Sequence, residues 1–133
     1  RETAIESDAG PVTVADAMDA NPVTVGPYTT VAEAVLGHFQ RSGPGSLPVC
    51  EGDRVVGIIT PKDIMRGVPR DEWESARVGS AMTPQPLLEV SRDDELSEAL
   101  ATLDEHLVSQ APVVEDGRLV GLLTRDGAIR RMP

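Results

Sequence analysis

Val55-Val56-Gly57-Ile58-Ile59-Thr60-Pro61-Lys62-Asp63-Ile64 is the stretch whose reading decides the fold. An apolar block this continuous suits a strand with both faces covered. The next four residues suit a helix start. Thr is a good N-cap, Pro fits the first helical position, and an acid three residues after the Thr completes a capping box and opposes the helix dipole. The strand therefore passes straight into a helix at Thr60. The same pattern returns 64 positions later (121 − 57), as Leu119-Val120-Gly121-Leu122-Leu123-Thr124-Arg125-Asp126-Gly127. Pro48 and Pro112, Met18 and Met82, and Pro22 and Pro86 keep that offset. Chance does not hold four landmarks to one spacing, so the chain is a duplication.

Working outward, each half reads alike. A short segment ends in Met (Val14 to Met18; Val78 to Met82) and leads into a short strand, Val23-Thr24-Val25 or Leu87-Leu88-Glu89-Val90. A helix follows. Leu96, Ala99, Leu100, Leu103 and Leu107 form one helical stripe, and Val31, Ala34, Val35 and Phe39 form its counterpart. Thr30-Val31-Ala32-Glu33 reads as a capping box. Then come Leu47 to Cys50 or Ala111 to Val114, a turn at Gly52-Asp53 or Asp116-Gly117, the apolar strand and the last helix. The order is β-α-β-β-α, twice. The expected fold is α+β, with two repeats packed sheet to sheet in pseudo-twofold symmetry, because one repeat alone cannot cover both faces of its sheet. The expected boundaries are an N-terminal extension 1–11, repeat one 12–68, a linker 69–75 and repeat two 76–133. Trp73 is expected to pin the linker down.

Composition narrows the function. Hydrophobic residues make up 40% and aromatics 2% of the 133 residues, so the core is aliphatic. Twelve basic against 22 acidic residues give a net charge of −10. Such a surface repels polyanions, so neither nucleic acid nor an anionic membrane is an expected partner. No apolar run approaches the about 18 residues of a membrane span, and no signal peptide is read. Cys50 is alone, which points to a reducing, cytoplasmic location and to a small buried apolar residue rather than a nucleophile. His38 and His106 lack second ligands at metal spacing, so no metal site and no catalytic set is expected. The chain begins at Arg1, and the expectation is a piece of a longer protein.

The sequence resembles tandem cystathionine-β-synthase-type (CBS) domains, the arrangement also called a Bateman module. The resemblance is carried by Leu47-Pro48-Val49 with Gly57 to Ile64, by Ala111-Pro112-Val113 with Gly121 to Asp126, and by the lead-ins at Val14 and Val78. It implies a regulatory module rather than an enzyme, with no cofactor required. It implies clefts that take AMP, ATP or S-adenosylmethionine as a regulatory ligand, a homodimer of modules, and an effector domain in a longer chain. In each cleft the Thr-x-x-Asp of one repeat faces the lead-in and Pro-containing strand of the other. The Asp holds the ribose hydroxyls and the Thr lies near the phosphates. Carried over residue by residue, the first cleft is Thr60, Asp63 and Ile58 with Gln85, Pro86, Leu87, Ser109, Gln110 and Ala111. The second is Thr124, Asp126 and Arg125 with Asn21, Pro22, Val23, Ser46 and Leu47. Here the pattern breaks: Gly127 stands where the family has Asp, and Asp126 is one residue early, about 100° around the helix. The second cleft is therefore expected to be the weaker. Arg66-Gly67-Val68-Pro69, Trp73 and Val78 to Met82 are also similar to the CBS tails of site-2-protease-like membrane zinc metallopeptidases, which would make this chain the cytosolic part of a membrane protein.

Each candidate also has a structural explanation. Thr60 to Asp63 explains itself as a helix cap, and Lys62 and Arg66 as solvated charge. Leu87, Val23 and Leu47 read as sheet core. The alternative to a ligand sensor is a constitutive dimerisation or scaffold module whose ligand sites have degenerated.

Overall fold

The computed structural model describes residues 11–40 and 45–132. The regular elements follow the sequence pattern. Helix α1 (Val14–Ala17) is followed by α2 (Val31–Ala34), which continues into a π-helical turn, Val35–Phe39. Strands β1 (Leu47–Glu51) and β2 (Arg54–Ile59) form a hairpin, and α3 (Pro61–Gly67) starts at once. A 3-10 turn, Arg70–Glu72, leads to α4 (Val78–Ala81) and the two-residue strand β3 (Thr83–Pro84). Helix α5 (Leu96–Glu105), strands β4 (Gln110–Glu115) and β5 (Arg118–Thr124), and helix α6 (Arg125–Arg131) complete the chain. The fold is mixed helix and antiparallel sheet.

The hairpin turns follow their residues. Gly52 takes φ 65°, and Asp116 and Gly117 both take positive φ (54° and 81°). Two-residue hairpins need these conformations because only they match the twist of the flanking strands. Two sequence expectations are corrected. The strands at Val23-Thr24-Val25 and Leu87 to Val90 shrink to single bridges, Val25 to Val49 and Val90 to Val113. The leucine stripe stops before Leu107, because α5 ends at Glu105. Leu107 N–H donates to the Asp104 carbonyl (3.2 Å) and Val108 N–H to the Leu103 carbonyl (3.1 Å), a Schellman ending. That ending puts Leu107 at φ 56° and leaves it 92% exposed.

The chain divides into two compact units that cross the sequence repeats. The Thr60 unit is Pro22–Leu87 with Asp116–Leu119. The Thr124 unit takes residues up to Asn21, then Leu88–Glu115 and the chain from Val120 on. Each unit thus holds the core of one repeat and the lead-in of the other. In the Thr60 unit, Val78 N–H donates to the Thr29 carbonyl (2.8 Å) and Val31 N–H to the Ala76 carbonyl (2.9 Å). In the Thr124 unit the reciprocal bonds are Val14 N–H to the Asp94 carbonyl and Leu96 N–H to the Val12 carbonyl, both 2.9 Å. Burying the first backbone groups of each helix against a foreign lead-in satisfies donors that the helix cannot satisfy itself.

Each unit has its own aliphatic core. Val31, Ala34, Leu47, Val49, Ile59, Ile64 and Val78 are buried together in the Thr60 unit, and Val14, Leu96, Ala99, Leu103, Val113, Leu123 and Ala128 in the other. Trp73 packs against the first of these cores and donates its indole N–H to the Val68 carbonyl (3.2 Å). The Arg70 guanidinium lies 4.9 Å from its ring centre, and Ala32 N–H bonds the Trp73 carbonyl (2.8 Å). The linker is pinned, as its sequence led one to expect.

Candidate functional site

The Thr60 unit assembles its site where β2 runs into α3. Thr60 Oγ1 accepts the Asp63 N–H (3.1 Å), and Asp63 Oδ2 accepts the Thr60 N–H (3.1 Å), so the capping box is complete. One carboxylate oxygen is thereby fixed by the cap. The other, Oδ1, meets only the Thr83 hydroxyl among the described residues, at a long 3.4 Å. Thr83 comes from the lead-in of the other repeat, through β3. Its pairing with β2 sets Thr83 opposite Ile58 and Pro84 opposite Gly57. Gly57 permits this approach: a Cβ there would run into the Met82 sulfur and stand 2.8 Å from the Thr83 carbonyl oxygen. The two repeat landmarks, Gly and Met, are thus partners across the duplication.

Gln85 follows on this segment. Its backbone N–H bonds the Val56 carbonyl (3.3 Å), its Nε2 the Val55 carbonyl (3.1 Å), and its Oε1 accepts the Leu87 N–H (2.8 Å). Gln85 therefore anchors the segment along β2, ahead of a cis peptide to Pro86. Pro86 is exposed, Leu87 half-buried and Ile58 buried, all within this unit. Lys62 and Arg66 are exposed on α3. Ser109, Gln110 and Ala111 belong to the Thr124 unit, where Ser109 is exposed and Ala111 buried.

The Thr124 unit repeats the plan with different side chains. Thr124 Oγ1 accepts the Gly127 N–H (3.0 Å), so half of the capping box survives. Asp126 is exposed in the first turn of α6. Arg125 is directed elsewhere: its guanidinium bonds Asp104 at 2.8 Å, and its N–H donates to the Ser109 carbonyl at 2.7 Å. Asp19 pairs with Leu122 through two backbone bonds of 2.9 Å, as Thr83 pairs with Ile58. A Cβ on Gly121 would stand 2.6 Å from the Met18 sulfur and 2.9 Å from the Asp19 carbonyl oxygen, which repeats the Gly57 relation. Asn21 is exposed in this unit, whereas Pro22, Val23, Ser46 and Leu47 lie in the Thr60 unit, with Ser46 and Leu47 buried.

Residues 14–70 and 78–133 each match the CBS domain, one match to each repeat. The chain belongs to the CBS domain family. Like other CBS pairs, it has well-covered relatives. Hypoxic response protein 1 of Mycobacterium tuberculosis is 28% identical over 123 residues, covering 91% of this chain and 85% of that protein. The crystal structure of CBSX2 in complex with AMP matches with a TM-score of 0.76 at 31% identity, covering 90% of this chain and 94% of that one. Inosine-5'-monophosphate dehydrogenase of Bifidobacterium longum is 34% identical over 136 residues, but this CBS pair spans only 24% of that enzyme. The sequence did not single out Thr83, which meets Asp63 here. The signal that finds it is its place directly after Met82, the partner of Gly57.

Cys50 is buried on β1, and burial, with Asp53 adding to it, pushes its thiol up. That chemistry is the opposite of an activated nucleophile. Among the described residues, no three His, Cys, Asp or Glu side chains group so as to hold a metal ion. Among them too, no helix is long and apolar enough to cross a membrane.

Proposed function

We propose that this chain is a regulatory module, without catalysis of its own, that binds an adenosine nucleotide through Thr60 and Asp63. Binding biases an effector, attached in a longer chain or met as a partner. The observation that carries the reading is Asp63. Its Oδ2 is held by the helix cap, and its Oδ1 has, among the described residues, one long contact, to a hydroxyl that a ribose hydroxyl can displace. A carboxylate fixed in this way is prepared for a charge-assisted bond to a diol. The AMP complex of CBSX2, at 31% identity, supports the ligand class. Ile58, Pro86 and Leu87, all of the same unit, supply the apolar surface of the proposed site.

The rest of the proposal follows the same line. The module works in a reducing, cytoplasmic compartment, consistent with its one buried thiol. It pairs with a second copy. Met65 and Ile129 hold the same place in the two repeats (129 − 65 = 64) and are 81% and 47% exposed, although each is a large apolar side chain. A scaffold reading draws on Gly127, which removes the capping acid from the second copy, and on the Gln85 amide, which is taken by backbone. Thermal-shift measurement with AMP, ADP, ATP, S-adenosylmethionine and NAD separates the two. A ligand at 100 times its dissociation constant adds about 2.7 kcal/mol of stability. A shift with an adenosyl compound is expected; no shift with any of the five leaves the scaffold reading.

A further inference from the structure

We propose that the π-helical turn Val35–Phe39 opens a docking groove for a basic peptide segment of a partner protein, with Leu36 as the apolar contact and Glu33 and Glu74 as the charged ones. This goes beyond the nucleotide reading and does not depend on it. The duplication shows why the turn exists. Val31 and Ala34 stand 65 positions before Leu96 and Ala99 (96 − 31 and 99 − 34), and all four are buried. Phe39, packed on the core of the Thr60 unit, stands 64 before the buried Leu103 (103 − 39). Between matching core positions, the first repeat therefore carries one residue more than α5. The turn takes it in, because a π-type hydrogen bond closes over one residue more than an α-type one. Gln40 N–H reaches the Val35 carbonyl at 2.9 Å (40 − 35 = 5), whereas at the end of α5 His106 N–H reaches the Thr102 carbonyl at 3.1 Å (106 − 102 = 4).

The extra residue adds surface rather than core. Leu36 is 59% exposed, although it is a large apolar side chain, and α5 has Ala101 at the matching place (101 − 36 = 65). A Cβ on Gly37 would meet nothing within 4 Å. Leu36, Gly37 and His38 line an open groove of about 830 Å³ together with Val25, Glu33 and Glu74, all in the Thr60 unit. A groove this open cannot enclose a small molecule as a ligand pocket does, but it can take a peptide laid across it. Charge selects the peptide. The lining holds two carboxylates and neither Lys nor Arg. Glu33 Oε1 accepts the Thr30 N–H and hydroxyl, and these bonds, with the charge of Arg77, hold its carboxyl below the ordinary value and so ionised. A second copy would bring the same net charge of −10, so the complementary occupant is a cationic partner.

Fluorescence anisotropy of a labelled peptide of alternating Lys and Leu, titrated with the intact chain, tests this. The peptide is expected to bind, and the same peptide with Glu for Lys is expected not to. The double variant Leu36→Ala, Glu74→Gln alters only exposed side chains, so it keeps the fold. It is expected to weaken binding by about tenfold. The matched control Leu107→Ala, Glu98→Gln removes the same chemistry from exposed positions of the Thr124 unit and is expected to change nothing. Equal losses in the two double variants would reveal diffuse attraction to an acidic chain and overturn the groove, as would a peptide that does not bind at all. The same two proteins compared by sedimentation decide against the other occupant. A shift to monomer with Leu36→Ala, Glu74→Gln and not with the control would make the groove a contact between copies and overturn the partner assignment.

Discussion

A methyl group on Gly57 has nowhere to go, because the Met82 sulfur and the Thr83 carbonyl oxygen already fill the space. Gly57→Ala is therefore expected to destabilise the chain by roughly 1–3 kcal/mol, the range for overpacking, as measured by urea unfolding. A loss below the error of the measurement would mean that the lead-in does not lie where it is described. Leu107 is the opposite case. Its φ of 56° is one that L side chains adopt at a cost, and its side chain is exposed. Leu107→Gly should raise stability by roughly 0.5–1 kcal/mol, seen as a later midpoint in the same experiment. At this scale the sequence showed that the glycines repeat, but not why. A glycine that repeats can mark a turn or a close approach, and only the crossed lead-ins decide between them.

Capping was the most legible feature at the scale of elements. Thr30 with Glu33 and Thr60 with Asp63 both form the reciprocal boxes that their spacing implies. Glu33 accepts from the Thr30 N–H and hydroxyl, both at 3.0 Å, and these bonds hold its carboxyl below the ordinary value of 4.5. A carboxyl lowered in the folded state contributes stability above its unfolded pKa and loses it as pH falls through the folded value. The stability difference between the wild type and Glu33→Gln should thus be visible at neutral pH. It should shrink below about pH 4. A difference that stays constant across a denaturation series from neutral to acid pH would contradict the box. Helix α5 was legible over Leu96, Ala99 and Leu103, all buried, and Leu103→Ala should cost about 2–5 kcal/mol. Its end was not legible, because an αL ending usually advertises itself with glycine, and here the residue is leucine. The short strands around Val23 and Leu87 were over-read for a related reason: β-branched and apolar residues mark burial as much as pairing.

The duplication, the element order and the membership of the CBS family could all be read from the whole chain, because repetition multiplies weak signals. The crossing of lead-ins came only from the family resemblance, because the repeat pattern alone is satisfied whichever copy's Met meets which copy's Gly. The helix side of the candidate site stood in the motif and Gln85 to Leu87 in the resemblance, whereas the contact of Thr83 with Asp63 needed the structure. For the assembled molecule, sedimentation at micromolar concentration is expected to show twice the 14.1 kDa of one chain. Met65→Glu should shift it toward monomer if that exposed apolar residue meets the second copy. The central claim is that Asp63 holds a nucleotide, and isothermal titration of AMP into the wild type and Asp63→Ala tests it most directly. Losing a charge-assisted bond of about 1.5–3 kcal/mol should weaken the first site at least about tenfold. Equal affinity at that site in both proteins, or no heat from AMP at millimolar concentration, would contradict the account.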